Sequence, residues 1–158
     1  MENMVDFESL FEGVYKEKKV LLTGHTGFKG SWLALWLNQI GAKVYGYSLE
    51  NKEQNHLELL DLNIEQKLGD IRDVATLESY FKEVQPDIVF HLAAQALVRD
   101  SYEDPVETFS SNVMGTLNIY EACRKTPSVK AIVNITSDKC YENKEWIRVQ
   151  RKRSHGRI

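Results

Sequence analysis

Three glycines at three-residue intervals, Gly24, Gly27 and Gly30, carry the clearest chemical signal in the sequence. At these positions glycine permits a tight turn, a close approach of the backbone to a phosphate, and close packing of the helix that follows. Peptide N–H groups at the amino end of that helix also attract anions. The spacing therefore predicts a dinucleotide-binding loop made of Gly24, His25, Thr26, Gly27, Phe28, Lys29 and Gly30.

The segments on either side of this loop have the patterns that such a site needs. Residues 19–23 are a short apolar run of the kind found in a buried parallel strand. Apolar residues then recur at helical spacing from about Lys29 to Ile40, and Gly41 follows as a helix end signal. Strand, glycine loop and helix are thus predicted in the order that a phosphate-binding unit requires.

The rest of the chain alternates in the same way. Strands are predicted at 43–48, 66–68, 87–92 and 131–137, and a polar loop at 51–55. Helices are predicted from Val74 to before Pro86, with Asp73 as N-cap, and over 105–125, with Asp104 as the cap and Pro105 in the first turn. Alternating strands and helices predict an α/β fold, a Rossmann-type doubly wound parallel sheet, here incomplete at the carboxyl end.

Length and charge divide the chain unequally. The 158 residues are enough for one sizeable core, which we assign to residues 19–146 after an acidic leader over 1–18. Residues 1–146 hold 15 basic and 23 acidic side chains, whereas residues 147–158 hold five basic side chains and no acid. This basic tail is predicted to be unstructured.

Several classes of protein are disfavoured by composition. The longest apolar run, residues 32–37, is far shorter than the ~20 residues of a membrane span, and no basic region precedes an apolar stretch near the start, so a cytoplasmic protein is expected. Cys123 and Cys140 lack metal-ligand spacing with each other or with a histidine. We therefore predict no metal site.

The choice of cofactor depends on the end of the second strand, where an acidic residue binds the ribose 2'-hydroxyl of NAD. Ser48 stands there, with Glu50 two positions on. No arginine is present to favour a 2'-phosphate, although Lys52 is close in sequence. The pattern favours NAD, with Glu50 as a solvated loop charge the alternative.

Five segments of the chain resemble one family, the CDP-glucose 4,6-dehydratases of the extended short-chain dehydrogenases/reductases. They are residues 23–33, 69–73, 90–95, 112–116 and 135–141, and the most specific are His-Thr-Gly-Phe-Lys-Gly and Thr-Ser-Asp-Lys-Cys-Tyr. The resemblance implies NAD-dependent conversion of CDP-glucose to CDP-4-keto-6-deoxyglucose, for deoxysugars of bacterial surface polysaccharides such as O-antigen. It also implies a homodimer formed through the long helices.

The resemblance further implies roles for residues after the last strand. Ser137 corresponds to the hydroxyl that polarises the C4 oxygen of the sugar, and Asp138 to the general acid at C6. Lys139 stands where related dehydratases carry a glutamate base, and a base role would require a lowered pKa. The alternative is that Asp138 and Lys139 form an exposed charged turn.

Other matching positions concern the cofactor. The resemblance implies that Asp70 and Ile71 contact adenine and that Ala93, Ala94 and Gln95 line the cofactor. His25 is expected to line it without acid–base work, and Asn112 to orient a water or a backbone group, although a structural role is an alternative for Asn112. For His91 we favour a histidine simply satisfied by hydrogen bonds.

The chain departs from the family in two respects. No Tyr-x-x-x-Lys pair follows Tyr141, and Tyr15 with Lys19 has that spacing only before the first strand. The carboxyl-terminal substrate domain of the family is also expected to be missing. A truncated and inactive chain is therefore expected.

The basic tail offers a reason for this departure. Residues 148–157, back-translated with suitable codons and read one base later, give Gly-Tyr-Arg-Glu-Lys-Glu-Ala-Met-Gly, which resembles the family's continuation after Trp146. We therefore put forward the hypothesis of a shifted reading frame near that residue. A dehydratase-like continuation in the other frame of the gene is the result this hypothesis requires.

Three alternative functions remain open at this point. They are a non-catalytic nucleotide-binding remnant, another nucleotide-sugar epimerase or dehydratase, and a nucleic-acid-binding arm formed by the tail. The acidic body of the chain disfavours the last, because it would repel phosphates.

Overall fold

Five short strands pair in parallel in the computed structural model, which describes residues 7–50, 56–60, 62, 64–137, 141–142 and 150–151. The strands are β1 (Lys19–Thr23), β2 (Lys43–Ser48), β3 (Glu65–Leu68), β4 (Ile88–His91) and β5 (Ala131–Asn134). Their order across the sheet is β3-β2-β1-β4-β5, which fills the first five positions of the Rossmann order. The predicted doubly wound parallel sheet is confirmed.

Helices follow the strands. They are α1 (Phe28–Gln39), α2 (His56–Leu59), α3 (Val74–Val84), α4 (Val98–Glu103), α5 (Pro105–Phe109) and α6 (Thr116–Arg124), with a π-helical turn, Ser110–Gly115, joining the last two. The leader forms a 3₁₀ segment, Phe7–Gly13, interrupted by extended and positive-φ residues at 10–12. Far along the chain, β6 (Tyr141–Glu142) pairs antiparallel with β7 (Gln150–Arg151).

Alternate residues of β1 face opposite layers of the core. Val20 and Leu22 belong to the cluster that packs against α1, whereas Leu21 belongs to the cluster under α3 and α6. All three side chains are fully buried. Burial on both faces is why the sequence of this strand is continuously apolar instead of alternating.

Helix α1 turns its small side chains to the sheet. Gly30, Ser31, Ala34 and Leu37 are its buried residues, whereas the tryptophans at 32 and 36 are about half exposed. The ring of Trp36 packs edge-on against Phe11 of the leader, with the ring centroids 5.5 Å apart. The helix is thus apolar on both sides, and a narrow face of small residues lets it approach the sheet closely.

Two sequence predictions need correction, and helix α4 was missed. The helix predicted over 105–125 is helical throughout but is interrupted by the π turn. The strand predicted over 131–137 ends at Asn134, because its partner β4 ends at His91. Helix α4 was not predicted, since Val98–Glu103 is exposed and lacks an apolar stripe.

Cys123 lies in the core, where burial raises the pKa of its thiol to about 11, while Cys140 lies outside the described residues. Within the described part of the chain, no helix combines the length and apolar content needed to cross a membrane.

Candidate cofactor site

The carboxyl ends of β1 and β4 lie side by side, at the point where the strand order reverses. Thr23 of β1 is in register with His91 of β4 and with Tyr47 of β2. The glycine loop leaves β1 here, and residues 92–97 leave β4. In open α/β sheets this crevice is where ligands bind.

Backbone contacts explain two of the three glycines. Gly24 has φ +72°, and a Cβ built on it would lie 2.8 Å from the amide nitrogen of Ala93. A Cβ on Gly30 would lie 2.1 Å from the carbonyl oxygen of Gly24. Helix α1 therefore packs directly on the loop backbone, and no side chain fits between them.

The amino end of α1 is left available for a ligand. Its N-cap is Gly27, and no side chain forms a cap hydrogen bond there. Phe28 and Lys29, the next two residues, are exposed. The predicted phosphate position is thus a helix amino terminus without a competing acceptor from its N-cap residue.

Hydroxyl groups mark the end of β2 beside this loop. Thr26 donates a hydrogen bond to the Ser48 hydroxyl, 3.2 Å between the oxygens, and Ser48 donates to the Leu49 carbonyl. Ser48 is almost fully buried, whereas Glu50 is exposed. Lys52 lies outside the described residues.

His25 differs from its expected place. Its side chain has no exposed surface, so it points into the fold and does not line the cofactor face. Nε2 donates to Oε1 of Gln66 at 2.8 Å, and the ring lies against Gly46, where an added Cβ would be 2.5 Å away. Burial lowers the pKa of His25, which favours the neutral ring.

The contacts of His25 reveal two positions that the sequence analysis missed. Gly46 in β2 makes room for the ring, and Gln66 in β3 fixes its orientation. A glycine inside a strand is a known signal for close approach of another group. Gln66, on an exposed strand of ordinary composition, offered no such signal.

Asp70 and Ile71, the predicted adenine contacts, lie in the loop after β3. The Arg72 guanidinium holds both carboxylate oxygens of Asp70, with Nη2 to Oδ2 at 2.6 Å, and keeps the pKa of that carboxyl below its usual value. Arg72 also pairs with Glu107 of α5. The Asp70 carboxylate is thus already engaged by Arg72.

Other contacts fix the backbone of the same loop. The Tyr47 hydroxyl donates to the Asp70 carbonyl at 3.1 Å. Asn118 of α6 donates to the Ile71 carbonyl at 3.0 Å, while the Ile71 side chain is buried against Gly115. The loop is thus held from both the sheet and the long helix.

Asn112 clamps the loop that follows β4. Its carboxamide accepts from the Gln95 backbone N–H at 2.8 Å and donates to the Gln95 carbonyl at 2.9 Å. Asn112 lies in the π turn, a geometry that is frequent at functional sites. Of its two expected roles, orienting a backbone group is the one that this contact supports. Ala93 and Ala94 lie between the clamp and β4.

The residues expected to be catalytic are only partly described. Ser137 is exposed, three residues beyond β5, while Asp138 and Lys139 lie outside the described residues. Lys19 begins β1, and its ammonium group donates to the Val84 carbonyl. The Tyr15 and Lys19 pair is therefore at the edge of the sheet opposite the glycine loop, as the sequence indicated.

His91 predicts a pH dependence of stability. Burial lowers the pKa of His91 to about 4, so the unfolded chain, with an ordinary histidine pKa near ~6.5, binds more protons between these values. The stability contribution is complete above the unfolded pKa and declines as the pH falls toward the folded one. Urea unfolding should show a free energy of unfolding about 2 kcal/mol lower at pH 5 than at pH 7 from this residue.

Two variants separate His91 from other acid-sensitive groups. His91→Phe should reduce the dependence on pH, whereas Val89→Ala in the same strand should lower stability equally at both values. Equal unfolding free energies of the unchanged chain at pH 5 and pH 7 would refute the assignment.

Sheet order, glycine loop and open helix terminus define a Rossmann-type nucleotide-binding unit. A sequence model of the GDP-mannose 4,6 dehydratase family matches residues 21–152, and the chain belongs to this family. The predicted resemblance is confirmed by the CDP-glucose 4,6-dehydratase of Salmonella typhimurium, which is 53% identical over 136 residues. That match covers 84% of this chain and 38% of the relative.

Other proteins and solved structures are also similar to this chain. The GDP-mannose 4,6-dehydratase of Vibrio cholerae is 38% identical over 68% of this chain and 31% of its own length. Among solved structures, an epimerase from Methanothermobacter thermautotrophicus superposes with a TM-score of 0.73 at 31% identity, covering 88% of this chain and 39% of that one. UDP-glucose 4-epimerase from Brucella ovis, in complex with NAD, gives 0.69 at 32% identity, covering 78% and 37%.

Proposed function

We propose that this chain binds NAD at the crevice between β1 and β4. We further propose that it is part of an enzyme that dehydrates CDP-glucose to CDP-4-keto-6-deoxyglucose. The observation that carries the proposal is the packing of Gly30 on the Gly24 carbonyl, which brings a helix amino terminus against the loop. A dinucleotide's pyrophosphate has the charge and size for this position.

The residues present fit such a cofactor. The loop from Gly24 to Gly30 would hold the phosphates, Ser48 with Thr26 the neighbouring ribose, and the Asp70–Ile71 backbone the adenine. Residues 93–95, whose loop is held by Asn112, would line the rest of the cofactor. Oε1 of Gln95 is buried beside this position without a hydrogen-bond partner among the described residues.

Bound NAD supplies a reversible hydride acceptor. The chain's own contribution at the described end of β2 favours NAD over NADP, because residues 48–50 offer two side chains with oxygen atoms and no cation. The Glu50 carboxylate would repel a 2'-phosphate. This supports NAD as the cofactor.

CDP-glucose is the proposed substrate of the whole enzyme. The 53% identity to a CDP-glucose 4,6-dehydratase supports this choice over the GDP-mannose and UDP-glucose relatives. Ser137 would polarise the C4 oxygen, Asp138 protonate the departing C6 hydroxyl, and Lys139 act near C5. All three follow a strand whose carboxyl end lies at the cofactor edge.

The setting of the enzyme is part of the proposal. A homodimer through the long helices is supported by an exposed apolar face on α5, the π turn and α6, formed by Val106, Phe109, Val113, Met114 and Leu117. A cytoplasmic location fits a nucleotide-sugar substrate, and neither nucleic acid nor membrane is a proposed partner.

Calorimetry with the purified chain tests the proposal. We expect NAD to bind more tightly than NADP. No 4-keto product should form from CDP-glucose in the same sample, because no Tyr-x-x-x-Lys pair follows Ser137 in this sequence. Absence of NAD binding would refute cofactor binding, and product formation would refute the predicted need for the pair.

A further inference from the structure

His91 is the junction of a hydrogen-bonded chain that crosses the cofactor edge of the sheet. Its Nδ1 lies 2.7 Å from the Thr23 hydroxyl of β1, and its Nε2 lies 3.0 Å from the Thr116 hydroxyl at the start of α6. The imidazole is 2% exposed. One buried side chain therefore links two strands and the long helix.

The direction of each hydrogen bond is determined by its neighbours. Thr116 donates its proton to the Asn112 carbonyl at 2.7 Å, so its oxygen must accept from Nε2–H of His91. At the other end, the Thr23 hydroxyl oxygen accepts from the amides of Leu92 and Ala93, both at 3.2 Å, and the Leu92 amide is shared with the Thr23 carbonyl. The Thr23 proton is then free to go to Nδ1.

The result is one neutral tautomer, with the proton on Nε2. Each donor and acceptor in this network, from the Ala93 N–H to the Asn112 carbonyl, has a partner. An imidazolium would place a second N–H against Thr23, whose oxygen already accepts two amides. The low pKa of His91 agrees with this arrangement.

Both ends of this hydrogen-bonded connection contact the same loop. Thr23 holds the loop's start through the amides of residues 92 and 93, and Asn112 holds its end through both backbone groups of Gln95. His91 and Thr116 are the connection between these two attachments. Loop 92–95 contains Ala93, Ala94 and Gln95, the residues expected to line the cofactor.

We propose that His91 is a positioning residue for cofactor binding, which joins Thr23 to Thr116 and thereby holds loop 92–95 in its binding conformation. This inference rests on the proposed function, since it takes NAD as the ligand. It goes beyond that function in assigning a task to a buried histidine that does not contact the ligand itself.

The test uses His91→Phe and Thr116→Val, which break the connection from either side, and the double variant. Each single change should weaken NAD binding in calorimetry about tenfold. This is the change in affinity expected from losing the net stabilisation of roughly one hydrogen bond. The double variant should be no weaker than the worse single one, because both interrupt the same chain. Val89→Ala, a buried change in β4 outside the chain, should leave the affinity unchanged at a temperature where it is folded.

Amide hydrogen exchange provides a readout that does not need NAD. Exchange at Ala93 and Gln95, relative to Leu21 in β1, should accelerate in His91→Phe and Thr116→Val but not in Val89→Ala. Unchanged relative exchange in the first two variants overturns the positioning role, as does NAD affinity equal to that of the unchanged chain. If the unchanged chain fails to bind NAD while loop exchange is still faster in His91→Phe and Thr116→Val, the positioning role is supported and the proposed cofactor is refuted instead.

Discussion

Gly30→Ala is expected to weaken NAD binding roughly 100-fold. The new methyl group would lie 2.1 Å from the Gly24 carbonyl oxygen and 2.8 Å from the His25 Cα, so the helix and the loop must separate. We expect a loss of about 3 kcal/mol in binding, roughly 100-fold, because charge-assisted bonds from the displaced amides are lost. Overpacking should also cost about 1–3 kcal/mol of stability. Calorimetry and urea unfolding measure the two effects.

Gly41→Ala is the matched control for this variant. Gly41 has φ +84°, so an alanine there is strained, yet it lies after α1 at the far end from the loop. A loss of about 1 kcal/mol in stability with unchanged NAD affinity is expected. If Gly30→Ala bound NAD like the unchanged chain, the loop would not be the phosphate site.

Gly46→Ala should weaken NAD binding by displacing the His25 ring, which packs under the glycine loop. The methyl group would lie 2.5 Å from Cδ2 and Nε2 of His25, in a position where the ring is buried and bonded to Gln66. Because His25 is itself part of the glycine loop, moving its ring displaces the loop backbone. We expect about tenfold weaker binding and a loss of about 1–3 kcal/mol in stability.

Val44→Ala, in the same strand, separates loop displacement from general loss of stability. Val44 packs in the core cluster on the α1 side of the sheet and does not contact the loop in the clusters described. It should lower the urea midpoint without changing NAD affinity. Equal affinity in Gly46→Ala would show that the His25 ring does not support the loop.

The sheet was predictable because its strands carry strong local signals. β1 and β4 are continuous apolar runs, and each predicted strand is present within a few residues of its expected bounds. Asp73 caps α3 through the Thr76 amide and Asp104 caps α5 through the Glu107 amide, as predicted. Side-chain caps are local chemistry, so they can be inferred from neighbours in sequence.

The features that escaped prediction depend on distant contacts. The π turn has no characteristic sequence pattern within the helix. It contains Asn112, whose side chain binds the backbone of Gln95, 17 residues away. The burial of His25 depends on Gln66, 41 residues away. The connection through His91 joins residues that are 68 and 25 positions from it. Short-range patterns do not contain such pairings.

The site was predicted unevenly for the same reason. The glycine roles follow from backbone geometry, and the contacts of Gly24 and Gly30 agree with them. The part played by Asp70 was predicted from resemblance alone, which gave no indication that Arg72 occupies its carboxylate. The functions of Ser137, Asp138 and Lys139 remain predictions.

An NMR titration of the purified chain with NAD tests the central claim most directly. We expect the backbone amides of residues 24–30 and 93–95 to shift together as NAD is added, whereas those at the opposite edge of the sheet, near Lys19 and Asp87, should not. No shifts, or shifts confined to residues away from these two loops, would contradict a dinucleotide site between β1 and β4.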